Sequence, residues 1–199
     1  SFHFSFPRST PMRLTTFALP RVIRFGAHNT RRNFPDSSAS KRMESNFLAR
    51  FERAYFAQEA GREFAAGREF GLDGYGRADL LWLAWRRLPG GEEFSAVALK
   101  KRIQLTAIEA KLKDWRKGLQ QASRYRHFAN RALLVLPSET ARIAHEYLRI
   151  FRSLNVGLWE FDLERNRIVK HTTPRARRAL NGKAREKAMQ VIERHLDLR

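Results

Sequence analysis

The chain has 199 residues, 43% hydrophobic and 12% aromatic, enough for one domain with a substantial core. It contains no cysteine, which excludes disulfides and thiolate metal sites, and no apolar run near the roughly 18 residues of a membrane span, which argues against a membrane enzyme. Thirty-nine Lys and Arg against 20 Asp and Glu give a formal charge of +19, so a polyanion is the expected partner; the expected location is cytoplasmic.

Residues 1 to 42 carry Ser, Thr, Pro, Asn and Arg, almost no acid before Asp36, and no sustained helical or strand period. The segment reads as a disordered basic N-terminal extension. Its acid-poor, Arg-rich composition is also that of an organellar transit peptide, although it lacks a convincing amphipathic helix. Met43 opens the first well-patterned segment, so the patterned domain is expected over residues 43 to 199.

From Glu44 to Ala60 the residues Phe47, Leu48, Phe51, Ala54 and Tyr55 recur at three- and four-residue steps, which predicts an amphipathic helix. The pattern loosens from Gly61 to Phe70. Asp73-Gly74 signals a turn, and Arg77 to Trp85 reads as a buried strand with a nearly continuous apolar run. Pro89-Gly90-Gly91 ends it, Ala96 to Leu99 is a candidate hairpin arm, and Ile103 to Leu112 is the next strand.

Trp115 to Asn130 places Leu119, Ala122, Tyr125 and Phe128 at helical spacing, and Ala132 to Leu136 follows as a short apolar strand, which makes a strand-helix-strand crossover. Ser138 is a candidate N-cap for a helix running to Leu154. Val156 to Phe161 and Ile168 to His171 read as a strand pair turning at Glu164 to Asn166. Pro174 to His195 reads as a basic helix broken near Asn181-Gly182. The expected class is α/β, with a small mixed sheet flanked by helices.

The chemistry-bearing residues lie on two of these strands. Side chains alternate along a strand, so Glu109 and Lys111 point to one side while Ile108, Ala110 and Leu112 point to the other. If Asp79 shares the Glu109 side from the neighbouring strand, the carboxylates form an oxygen-lined pocket suited to magnesium or manganese beside a phosphodiester. Taken singly, Glu109 and Lys111 are equally an ion pair on a solvated strand, and Asp79 a strand-start residue bonded to a nearby N–H.

The pieces GRADLLWL, IEAKLKDW, GLQQASRYRHFA and RALLVLP, with the leading helix, cover most of residues 44 to 137, and their order resembles the PD-(D/E)XK nuclease superfamily. The chain departs from the simplest pattern at Ala78, where proline is expected before the Asp, and in the long connection from Asp79 to Glu109. The resemblance implies a restriction-endonuclease-like core in which Asp79, Glu109 and the Ala110 carbonyl ligate Mg2+ or Mn2+. It also implies that Lys111 orients or deprotonates the attacking water.

Gln121 is then expected to contact phosphate or a metal-held water, with Tyr125 packing beside it, and Glu52 to add a further acid, with Glu59 a weaker candidate. Lys113, Arg175, Arg177, Arg178 and Lys183 are expected to touch nucleic acid, the basic residues surrounding the acidic site. The implied function is metal-dependent hydrolysis of DNA by a prokaryotic-style endonuclease of repair, recombination or defence, with a homodimer as a candidate assembly. The competing readings are a non-cleaving nucleic-acid-binding module of the same fold, and an RNase. The tryptophans read as core, and the six histidines show no metal-ligand spacing.

Overall fold

The structure, a computed structural model, describes residues 21–24, 39–60, 64–85 and 102–196. The candidate hairpin arm at Ala96 to Leu99 lies outside them. Seven strands form one mixed sheet in sequence order: β1 (Arg21–Arg24), β2 (Phe64–Leu72), β3 (Gly76–Ala84), β4 (Gln104–Ala110), β5 (Arg131–Pro137), β6 (Val156–Asp162) and β7 (Arg167–Thr172). The ladders β1–β2, β4–β5 and β5–β6 are parallel and the rest antiparallel. Five helices complete the described chain: α1 (Ala39–Gln58), α2 (Trp115–Tyr125), α3 (Ser138–His145), α4 (Leu148–Leu154) and α5 (Gly182–Leu196). None is long and apolar enough to cross a membrane.

Both faces of the sheet are core. On one, Phe47, Phe51, Ala54 and Tyr55 of α1 cover Leu80, Trp82, Ile108, Val135, Trp159 and Phe161. On the other, α2 to α5 cover Leu81, Leu83, Leu105, Ala107, Leu134 and Leu158, with Trp115, Tyr125 and Phe151 among the contributors. The side of β4 that Glu109 shares is therefore packed as well, not given over to the expected carboxylate pocket along its length. Asp79 and Glu109 lie at the end of the α2 face, where β4 runs out.

Several elements differ from the sequence reading. Arg21–Arg24, within the segment read as an unpatterned extension, pairs with β2, and α1 begins at Ala39. β2 went unread because Gly67, Arg68 and Glu69 break its alternation, yet its register to β3 runs from Phe64↔Ala84 to Leu72↔Gly76. Ser138 does not cap α3, because Pro137 holds the cap position and no side-chain bond closes it. The helix expected to Leu154 is two helices, α4 ending at Asn155 in the left-handed region, φ 52°.

The basic tail is corrected most. Residues 174–180 are not helical, since their backbone groups bond to other segments: Arg175 N–H and C=O to the Asn155 amide, Arg177 N–H to Asn130 O, and Leu180 N–H to Arg126 O. Asn181 then caps α5, its Oδ1 accepting from Ala184 N–H at 3.1 Å. Gly157 lets this strap lie against β6, for a Cβ there would meet Pro174 Cδ at 2.7 Å and Leu133 Cδ2 at 2.4 Å.

Candidate active site

The β3–β4 ladder ends at Leu80↔Ile108, and beyond it the side chain of Asp79 replaces the backbone: its Oδ2 accepts from Ala110 N–H at 2.8 Å. A strand residue presents its N–H and C=O to the same side, so the Ala110 carbonyl also faces β3. The β2–β3 ladder is interrupted at the same level, where Glu69 stands opposite with φ 56°, a left-handed conformation costly for a residue with a Cβ. Asp79 thus sits in a notch between two ladders.

Glu109, one residue before the end of β4, is 1% exposed. Its Oε1 lies 2.9 Å from Lys111 Nζ, and its Oε2 is 2.5 Å from the Tyr125 hydroxyl. That hydroxyl also lies 2.6 Å from the Arg77 carbonyl oxygen. A tyrosine carries one hydrogen for these two acceptors. A protonated Glu109 satisfies all three groups by donating to Tyr125, which then donates to Arg77.

The electrostatics agree with that arrangement. Burial first, and the Asp79 carboxylate second, push the Glu109 carboxyl up to about 7. Asp79 is raised by burial and by Glu44, against the Ala110 N–H and Lys111, which lower it. Burial lowers Lys111, but Glu109, Asp79 and Glu44 outweigh it and hold the ammonium above its ordinary value. Burial and Glu109 push the Tyr125 phenol up, so it stays neutral.

Helix α2 supplies the wall. Asp114 starts it by accepting from Lys117 N–H at 3.1 Å. Gly118 allows close approach, since a Cβ would stand 2.9 Å from Lys111 Cγ and 2.6 Å from Leu134 Cδ1. Gln121 lies one turn from both Gly118 and Tyr125, and its Oε1 is buried with no hydrogen-bond partner among the described residues.

Of the residues singled out from sequence, Asp79, Glu109, Lys111, Ala110 and Gln121 come together here. Glu52 does not: it is buried under β2 and paired with Arg68 Nε at 2.5 Å. Glu44, two helical turns earlier, is the α1 acid whose charge reaches Asp79 and Lys111. Lys113 is exposed just past the strand end. Arg175, Arg177 and Arg178 lie on the strap at the opposite ends of the strands, so they do not surround the acidic site. Tyr125 had read as packing only; its polar handle on Glu109 was missed.

Among the described residues no three His, Cys, Asp or Glu cluster as a metal cage. The donors present are nonetheless all hard oxygens: two crowded carboxylates, the Ala110 carbonyl and the unpartnered Gln121 Oε1. Magnesium accepts one or two carboxylates and completes its shell with water and substrate oxygens, so the set fits such an ion. No family model matches this chain and no curated protein matches it, so the chemistry of the site rests on these residues themselves.

Proposed function

We propose that this chain is a metal-dependent phosphodiesterase acting on nucleic acid, DNA before RNA, with a restriction-endonuclease-like core of the PD-(D/E)XK kind. The observation that carries the reading is the meeting of Asp79, Glu109 and Lys111 at one strand end, where a single ammonium lies by a buried carboxyl, Glu109, and a half-buried one, Asp79. The +19 charge of the chain supplies the attraction for a polyanion. Asp79, Glu109 and the Ala110 carbonyl would hold Mg2+ or Mn2+. When bound, the ion supplies Lewis acidity at a phosphoryl oxygen and offsets charge that grows there.

The chain's own groups divide the remaining work. Tyr125 and Lys111 grip the two Glu109 oxygens and fix the carboxylate against rotation. Lys111, held as an ammonium, is suited to orienting a phosphoryl oxygen or the attacking water, which favours that role over proton abstraction. The Gln121 Oε1, buried and without a partner among the described residues, would accept a hydrogen bond from a water on the α2 side. Water would then attack phosphorus as the bond to the opposite, leaving oxygen breaks, the water's proton passing to solvent and the leaving oxygen taking one up from the Lys111 ammonium or from water.

The test is incubation of the whole chain with supercoiled plasmid, labelled single-stranded DNA and labelled RNA, in Mg2+ or Mn2+ against EDTA. Metal-dependent cleavage of DNA is expected. Salt-sensitive binding without cleavage of any substrate would replace this reading with the non-cleaving module, and cleavage of RNA alone would replace DNA with RNA.

A further inference from the structure

The strap that departs from the expected helix forms a second feature, remote from the carboxylates. Between it and the end of α4 lies an open groove of ≈ 410 Å³, lined by Arg152, Arg175 and Arg177 with Ser153, Thr172 and Thr173. The three arginines are exposed, and none pairs with a carboxylate among the described residues. The Ser153 hydroxyl donates to Ile150 O, so the unpaired guanidinium groups with the Thr172 and Thr173 hydroxyls are the donor set for phosphate oxygens.

The groove is built rather than incidental. Asn155, held left-handed at the end of α4, clasps Arg175 from both sides: its Nδ2 donates to Arg175 O at 2.9 Å and its Oδ1 accepts from Arg175 N–H at 3.0 Å. Asn130 does the same for Arg177, donating to its carbonyl at 3.2 Å and accepting from its N–H at 3.1 Å through its own backbone oxygen. Pro174 is buried between them, against Gly157. The backbone of each arginine is thus fixed while its side chain is left to solvent.

The charge here is uncompensated. Arg126 beneath the strap is buried on carbonyl oxygens of Ala129 and Asn130, and its proton affinity is lowered by burial and by the nearby Arg177 charge. Like charges held together without acids are relieved by a bound polyanion.

We infer that this groove is a phosphate-binding site for the backbone of a nucleic-acid strand, separate from the carboxylate site. Leu158 aligns with Glu109 through Leu134, and Asn155 lies three residues before it. At ~3.3 Å per residue and ~4.8 Å per strand, the two sites stand roughly 14 Å apart across the sheet. Contacts in the groove position the strand without reading its bases. The inference rests on the polyanion partner of the proposed function and not on cleavage.

The test measures binding of a fluorescent single-stranded oligonucleotide to the full chain in EDTA across a salt series. The variants are Arg152→Ala/Arg175→Ala/Arg177→Ala and, as an equal-charge control away from the groove, Arg53→Ala/Arg167→Ala/Arg194→Ala. The groove variant is expected to lose about tenfold or more in affinity and to lower the salt slope by roughly 2 to 3, about one per phosphate contact. Equal losses in both variants would overturn the groove as a site and leave only diffuse charge. Inorganic phosphate at matched ionic strength displacing the oligonucleotide fully would also overturn it, as a site for the small anion. Because binding is read in EDTA, where the metal-dependent chemistry is silent, the outcome stands whether or not the chain cleaves.

Discussion

Replacing Glu109 by glutamine should alter how stability depends on pH more than stability at pH 5. The Glu109 carboxyl is raised from 4.5 to about 7 in the fold by burial and by Asp79. Between those values the folded protein holds a proton that the unfolded chain has released. The Glu109 contribution to stability is therefore full below pH 4.5 and is lost as pH rises through 7. At 1.36 kcal/mol per unit, the loss is about 3 kcal/mol. For a chain of this size that is a fall of roughly 6 to 12 °C in Tm. Glutamine cannot titrate, yet its Oε1 can accept from Lys111 while its Nε2 donates to Tyr125, which in turn donates to Arg77. Thermal unfolding by circular dichroism from pH 5 to 8 in EDTA should show the fall in the parent. Glu109→Gln should lose most of it, with a residue from Asp79, which shifts in the same direction. Parallel curves for the two proteins would refute the buried, proton-holding carboxyl.

Three further changes probe the same end of the sheet. Tyr125→Phe removes a hydroxyl shared by Glu109 and Arg77 and should cost about 1 to 3 kcal/mol in denaturant unfolding. Gly118→Ala gains about 1 kcal/mol of helix propensity but drives a methyl into Leu134 and the Lys111 stem, so a net loss of roughly 1 to 2 kcal/mol is expected in the same assay. Glu69→Gly relieves a left-handed backbone and sacrifices only an exposed 3.8 Å pair with Arg77, so stability should rise by about 1 kcal/mol; a fall would mean that Glu69 makes a contact of real value.

The residues that met at the site were those whose position depends on strand alternation alone. Glu109 and Lys111 share a face because they are two apart, and Asp79 joins them because β3 pairs antiparallel with β4. Glu44 and Tyr125 were hidden for a different reason. Both Glu44 and Glu52 lie on α1, and helical spacing alone does not tell which acid reaches Asp79 and which meets Arg68. Tyr125 sits at a core spacing, and its hydroxyl contact spans 16 residues of sequence. The strap was illegible because its backbone bonds go to asparagines 20 and 47 residues away, while its local composition favours a helix.

The most direct measurement of the central claim is the rate of Mn2+-dependent plasmid nicking by the parent beside Lys111→Ala and Asp79→Asn, each first shown to unfold cooperatively. The account predicts metal-dependent nicking by the parent and a loss of about a hundredfold or more in both variants. Nicking at the parental rate by either variant would contradict the assignment of the chemistry to this site.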